Sequence, residues 1–429
     1  MNRQTTPSTP PCCRTSRPGD APDEPMLPVA GLRADYESSV IDRMRRWGNQ
    51  LRAGGLTLRL AAEFGFCYGV GNAIAYAYRA RAQYPDRRIF LTNEIIHNPR
   101  VNDRLRQMGI TILNVHQPDT RLGALLTAED VVILPAFGVH VDLLDPLNRI
   151  GCKLIDTTCG SVMAVWKRVE KLVAEGFTAV IHGKYRHEET VATCSRVRRR
   201  DGHYLIVRSQ AEAEQVCAYI RTRRGREELQ QAFKPASSPG FRFDRHLERI
   251  GMANQTTMLS SESLRIEQMF REALEATYGK ERVDHCFRSF GTICHSTQKR
   301  QDSVLEMMQH PPDLMIVVGG FNSSNTRNLS HIASRYCPTY HVDESDCLID
   351  PNRIRHLPVG DDREVQQTEG WLPARRPLQI GLTGGASTPN RVIGEVIDKL
   401  MAWETTAGSI EGTDKECPGE GDPKPCDSH

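Results

Sequence analysis

A single cysteine closes a strand and opens a helix at Gly65-Phe66-Cys67-Tyr68-Gly69-Val70, and no other stretch restricts the fold as tightly. The alternation of Leu56, Leu58 and Leu60 before it predicts a strand, and the run from Val70 to Tyr78 predicts a helix. A cysteine at such a junction faces unpaired backbone N–H groups and the positive end of the helix dipole, which favours the thiolate. The arrangement recurs twice. Leu154-Ile155-Asp156 leads through Thr157-Thr158-Cys159-Gly160-Ser161 into a helical pattern with Val162, Val165 and Val169. Gly291-Thr292-Ile293-Cys294-His295 leads into a helix from Gln298 to Met307. Three lone cysteines at strand-to-helix turns, far apart in sequence, predict three lobes converging on one soft metal centre. Three thiolates leave one position open, either on zinc or on one iron of a [4Fe–4S] cube, and spacing alone leaves both metals open.

The remaining cysteines support that reading by their irregularity. The chain has 13, an odd number, with no Cys-x-x-Cys pair. A secreted disulfide framework and a zinc ribbon are both disfavoured, and a reducing cytoplasmic setting is expected. Cys152, Cys194, Cys217, Cys286, Cys337 and Cys347 read as small buried hydrophobes. A net charge of +2 and the lack of a long apolar run predict neither nucleic-acid nor membrane binding. The 429 residues suffice for two or three domains with sizeable cores.

Residues 1 to about 30, rich in Pro, Thr, Ser and Arg, predict a disordered leader, and its acids make it a poor transit peptide. Helical periodicity runs from Ala30 to Arg52. From Leu56 on, short apolar strands alternate with helices, the signature of parallel α/β sheets. The division expected is 1–55 leader and helix, 56–68 first strand and cluster loop packing with the third lobe, 69–159 first lobe, 160–290 second lobe, 291–402 third lobe, and 403–429 a disordered tail. Residues 221–249 are basic and aperiodic, and read as a surface insertion.

Other chemistry gathers at the carboxyl ends of strands, where open α/β sheets bind ligands. Asn322-Ser323-Ser324-Asn325 follows the buried strand Leu314–Val318 and its Gly319-Gly320. Gly384-Gly385-Ala386-Ser387-Thr388-Pro389 follows another, with Thr388 as expected cap and Pro389 as first helical residue. Each is an anion cradle of N–H groups and small polar side chains, or else an ordinary helix cap. A pair of cradles suits a diphosphate. His97 and His187 occupy equivalent positions just past strand ends and can donate to an anion. Glu189 is the candidate proton source; its alternative reading is a helix-stabilising acid.

With these segments in place, the chain resembles the LytB family of 4-hydroxy-3-methylbut-2-enyl diphosphate reductases, and most closely its cyanobacterial and plastid branch. The resemblance runs from about Leu56 to Leu400. It is carried by Gly65-Phe66-Cys67, Glu94-Ile95-Ile96-His97-Asn98, Asp156-Thr157-Thr158-Cys159, His187-Glu188-Glu189-Thr190, Gln255-Thr256-Thr257, Ile293-Cys294, Asn322-Ser323-Ser324-Asn325 and Gly385-Ala386-Ser387-Thr388-Pro389, in the family's order. It implies three similar α/β lobes with small parallel sheets, arranged as a trefoil around a central iron–sulfur cluster. It implies one [4Fe–4S] cluster held by Cys67, Cys159 and Cys294, with one iron lacking a protein ligand. His97, His187, Thr256, Ser323, Ser324, Asn325 and Ser387 would hold the diphosphate substrate. Glu189 would deliver the proton, with Thr256 orienting the substrate hydroxyl. The implied reaction is a two-electron reductive dehydroxylation giving isopentenyl and dimethylallyl diphosphate, the last step of the non-mevalonate isoprenoid pathway.

Two positions depart from the family pattern. Phe137 stands where many bacterial members have a histidine, and Gly160 where proline is expected. An electron donor protein, ferredoxin or flavodoxin, is implied, and the basic insertion is a candidate dock for it. The location implied is cytoplasmic, or plastid stroma if the source is a photosynthetic eukaryote. Competing readings are a cluster-bearing sensor without turnover, which would have lost the substrate site, and a zinc hydrolase of a phosphorylated small molecule.

Overall fold

Three small, mostly parallel sheets organise the chain, each built from short strands whose central members are buried and whose edge members are partly exposed. The computed structural model describes residues 31–115, 122–360 and 364–408. The expected leader over 1–30 and the tail beyond Gly408 lie outside these residues. The first sheet has the order Ile110–Ile112, Ile89–Leu91, Val131–Leu134, Lys153–Asp156, all parallel. The second runs Phe287–Ser289, Ile250–Asn254, Thr178–His182, Tyr204–Val207, again all parallel. The third runs Gln50–Ala53, Leu56–Leu60, Leu378–Gly384, Leu314–Val318, Thr339–Val342. Only its edge pair is antiparallel. Strands such as Val131–Leu134 and Leu314–Val318 are buried along their whole length, as parallel strands covered by helices must be. Separate apolar clusters fill the two faces of the first sheet and the two faces of the third. The α/β, three-lobed architecture expected from the sequence is the one observed.

The first cysteine strand is non-local. Leu56–Leu60 pairs in parallel with Leu378–Gly384, more than three hundred residues later. The cysteine helices are Tyr68–Gln83, Gly160–Ala174 and His295–Met307, and Cys67, Cys159 and Cys294 are their N-cap residues. Pro99 opens the helix Pro99–Gln107, where its missing N–H costs nothing, and Asn98 caps it by accepting from Val101 N at 3.1 Å.

Several expectations are corrected. The single helix expected over 30–52 is two helices, Leu32–Tyr36 and Ser39–Arg46, followed by the strand Gln50–Ala53. Gly48 and Asn49 take positive φ values of 67° and 60°, which stops the second helix and turns the chain into a hairpin. The two helices straddle two lobes. Tyr36 packs on Phe66 with ring centroids 5.3 Å apart, while Val40, Ile41 and Met44 enter the core of the third sheet. The segment 221–249 is not a surface excursion: it folds as short helices and sends Phe233, Phe241, Phe243 and Leu247 into the core of the second lobe. Its aromatic residues lack a helical period because they anchor separate turns. Thr388 does not cap the final helix; its hydroxyl donates to Val318 O at 3.0 Å, and the helix runs Asn390–Gly408, past the expected boundary at 402. Gly160 stands where proline is expected. It is the first residue of an ordinary helix, and a Cβ there would touch nothing within 4 Å.

Candidate active site

The three cysteine turns share one construction. The amide of Cys67 donates to Ala386 O at 3.1 Å, that of Cys159 to Ala136 O at 2.8 Å, and that of Cys294 to Thr256 O at 3.1 Å. Each cysteine is thus pinned to the loop that leaves the adjacent strand of its own sheet. The sulfur of Cys67 accepts from Val70 N at 3.4 Å, and that of Cys294 from Thr297 N at 3.4 Å. The sulfur of Cys159 lies beside Gly69, where a Cβ would approach it to 2.6 Å. Glycine there keeps the first and second turns close together. The turn position predicts eased ionisation, yet burial pushes the Cys294 thiol up, with the nearby Cys67 and Glu189 adding to it, despite the Thr297 bonds. All three cysteines are free thiols.

His97 and His187, on different lobes, meet edge to face with Nε2 atoms 3.2 Å apart. His187 Nδ1 accepts from Glu189 N at 3.2 Å, which assigns its proton to Nε2. Burial holds His187 well below the ordinary histidine range, with the His97 and Lys184 charges acting the same way. It is therefore a neutral donor aimed at His97 and the space beside it. His97 Nδ1 lies 3.4 Å from Glu94, and its Nε2 lies 3.4 Å from Glu188. The ring of Phe137 stacks on His97 at 4.6 Å, so the departure from histidine replaces a donor by a packing platform.

Glu189 is the most perturbed acid in the site. It is 2% exposed. Thr256 N donates to one carboxylate oxygen at 2.6 Å and Thr256 Oγ1 to the other at 2.9 Å. Burial raises its pKa from the ordinary 4.5 to about 7, against the lowering effect of both Thr256 bonds and of His97. A carboxyl group half protonated at neutral pH is matched to proton transfer.

The Ser323-Ser324-Asn325 and Ala386-Ser387 turns complete the arrangement. Ser323 caps the helix Ser324–Ala333, accepting from Thr326 N at 3.3 Å. Gln255 Nε2 reaches Ser324 Oγ at 3.5 Å. Asn325 accepts from Ala386 N at 3.0 Å and reaches Thr297 Oγ1 at 3.4 Å, and Thr297 in turn meets the Cys294 sulfur at 3.1 Å. Ser387 Oγ donates to His97 O at 3.3 Å. Ser323, Ser324, Asn325 and Ser387 are all buried. The structure thus links His97 to Ser387, Asn325 to the Cys67 and Cys294 turns, and Glu189 to Thr256. Sequence reading had not singled out Gln255, Thr297, Glu94 or Glu188 as site residues. Their signal was position: Thr297 lies three residues beyond Cys294, and Glu94 and Glu188 flank the two histidines.

Among the described residues, one set of side chains brings its ligand atoms within the reach of a single metal ion, and it is not the cysteine trio. The cysteine trio offers three soft sulfurs. His97, His187 and Glu188 offer ligand atoms all within 4.8 Å of one another.

A family model described as LytB protein matches residues 58–401. The 4-hydroxy-3-methylbut-2-enyl diphosphate reductase of Cyanothece sp. is 45% identical over 380 residues, 88% of this chain and 92% of the relative. The protein of the same name from Thermosynechococcus vestitus is 46% identical over 377 residues, with 88% and 92% covered. Among solved structures, the E-1-hydroxy-2-methyl-but-2-enyl-4-diphosphate reductase from Plasmodium falciparum matches with a TM-score of 0.56 at 19% identity, over 80% of this chain and 86% of that one, a likeness of fold. The extent of the family match and the identity to these cyanobacterial relatives place the chain in the LytB family.

Proposed function

We propose that the chain is an iron–sulfur reductase that converts 4-hydroxy-3-methylbut-2-enyl diphosphate to isopentenyl and dimethylallyl diphosphate. The observation that carries this reading is the buried Glu189 carboxyl, with a pKa of about 7 and both oxygens on Thr256, next to the Cys294 turn. The donor set fits an iron–sulfur cluster: three free cysteines at helix N-caps, no disulfide among the described residues, and a glycine that leaves room beside the Cys159 sulfur. Cys67, Cys159 and Cys294 would hold it, leaving one iron of a [4Fe–4S] cluster without a protein ligand. When bound, the cluster supplies the electrons and a Lewis-acidic position.

The protein's own residues do the rest. Overall the reaction consumes two electrons and two protons, breaks the allylic C–O bond and releases water. His97, His187, Ser323, Ser324, Asn325 and Ser387 bind the diphosphate, His187 as a neutral N–H donor. Thr256 Oγ1 orients the substrate hydroxyl and tethers Glu189. Glu189 holds the transferable proton on a carboxylate oxygen. Closely packed side chains such as Phe137 exclude water from the reacting end. A soluble one-electron carrier, ferredoxin or flavodoxin, delivers the electrons, and the enzyme works in the cytoplasm. No helix among the described residues is long and apolar enough to cross a membrane.

Anaerobic purification with iron and sulfide analysis tests the reading, followed by Mössbauer spectra with and without the diphosphate substrate. About four irons per chain, one of which changes its signal on substrate addition, is the expected result. Zinc in place of iron, or a cluster indifferent to the substrate, overturns it.

A further inference from the structure

Arg300 is a buried cation without a carboxylate. It lies on the helix His295–Met307 and is 3% exposed. Its Nη2 donates to Gly65 O at 2.6 Å and its Nη1 to Ser296 O at 2.8 Å, while Nε is buried with no partner. Glu63 acts on it electrostatically but is itself paired with Lys299 at 3.6 Å, and no carboxylate among the described residues forms an ion pair with Arg300. Guanidinium stays charged under all ordinary conditions. Burying it without a counter-charge is among the most costly choices a fold can make. Two backbone carbonyls supply partial charges only.

The candidate counter-charges are sulfurs. Burial lowers the pKa of Arg300, and Cys67 is the strongest influence opposing it, with Glu63 and Cys294 also contributing. Gly65 lies two residues before Cys67, and Ser296 two residues after Cys294. The guanidinium therefore ties together two cysteine turns that are far apart in sequence. We propose that Arg300 is the internal counter-ion of the three-cysteine centre, a positioning residue whose charge makes the bound cluster easier to reduce. The inference rests on the iron–sulfur reading above. It explains an expensive buried charge that neither the substrate pocket nor the surface ion pairs use.

The test compares the parent chain with R300K and R300Q, each loaded anaerobically, with iron and sulfide measured before a redox titration of the cluster. Removing a positive charge disfavours the added electron. R300Q is expected to lose about tenfold or more in the equilibrium constant for reduction, about 59 mV in the negative direction for one electron. R300K keeps the charge and stays nearer the parent. R300Q with parental iron content and a parental midpoint overturns the proposal and leaves Arg300 as a mechanical tie. A parent chain without iron overturns the cluster reading itself, and this inference with it, so the two failures are distinct. If R300Q does not retain a cluster, melting of the unloaded chains decides. A counter-ion predicts unloaded R300Q at least as heat-stable as the parent, because an uncompensated charge has gone. A melting point several degrees lower identifies a mechanical tie and overturns the proposal.

Discussion

Glu189→Gln changes the charge of the site while keeping its shape. The glutamine carbonyl can still accept from Thr256 N, and its amide can still meet Thr256 Oγ1, so packing is preserved. The parent carboxyl has its pKa raised from 4.5 to about 7 in the folded chain. A raised carboxyl binds its proton more tightly when folded. Below about pH 4.5 both states are protonated, and the group has no effect on stability. As pH rises towards 7 the folded state is progressively penalised, and above 7 the whole penalty is present. At 1.36 kcal/mol per unit, the shift corresponds to about 3 kcal/mol. The glutamine variant escapes this cost. It is therefore expected to match the parent near pH 4 and to exceed it by about 3 kcal/mol at pH 8, a gap of several degrees in melting temperature. Melting curves of both proteins across pH 4 to 9 measure the gap. A gap that does not open between about pH 4.5 and 7, or a variant less stable at pH 8, refutes the assignment of Glu189 as a buried, strained acid. Turnover should meanwhile fall by roughly 10²- to 10⁴-fold, the usual contribution of a positioned proton donor, with substrate still bound.

Thr256→Val removes the hydroxyl that donates to Glu189 at 2.9 Å. Losing one hydrogen bond to a charged group, about 1.5 kcal/mol, should move the Glu189 limb of the turnover–pH profile up by about one unit, and an unmoved limb would separate the two residues. Asn325→Ala leaves the part-buried Ala386 N–H without the acceptor it has at 3.0 Å. Its KM for the diphosphate should rise on the order of tenfold, from about 1–3 kcal/mol of lost bonding, and unchanged steady-state kinetics would place Asn325 outside the cradle. Gly160→Pro should stabilise the chain by about 0.4–1 kcal/mol in thermal melts without changing iron content. The position is the first of its helix, and Cys159 before it is already extended, at φ −60° and ψ 137°.

What the sequence made legible was local. Cys67 and Cys159 each sit between a short strand with apolar residues and a periodic helix within about a dozen residues, so their turns can be read without knowing the partner strands; Cys294 follows only the three-residue strand Phe287–Ser289, which has no apolar pattern of its own. The positions of His97, His187 and Ser323-Ser324-Asn325 at or near helix starts were legible for the same reason. What stayed hidden depends on distant partners. Gln50–Ala53 is a strand because Leu56–Leu60 folds back on it, while its own pattern continues the preceding helical one. Phe233, Phe241 and Phe243 are core residues of an irregular segment that has no period to detect. Thr388 has a cap's sequence position, but a nearby strand carbonyl outcompetes the helix for its hydroxyl. The raised Glu189 pKa comes from burial by other elements, which no spacing of acids reveals.

The non-local pairing of Leu56–Leu60 with Leu378–Gly384 orders events during synthesis. The first two sheets use strands between Ile89 and Ser289, so each can close soon after its residues leave the ribosome. The third cannot. Its second strand emerges early and waits for a neighbour near the end of the chain, as does the helix Ser39–Arg46 that packs on the final helix Asn390–Gly408. The amide of Cys67 has no acceptor until Ala386 has been made. A seat for metal that needs all three turns is therefore completed only when the polypeptide is nearly finished. A nascent or truncated chain ending before residue 378 would carry Cys67, Cys159 and Cys294 yet lack the strand and the carbonyl that hold the first of them, so on the iron–sulfur reading proposed above a cluster held by all three would have to wait for the end of translation.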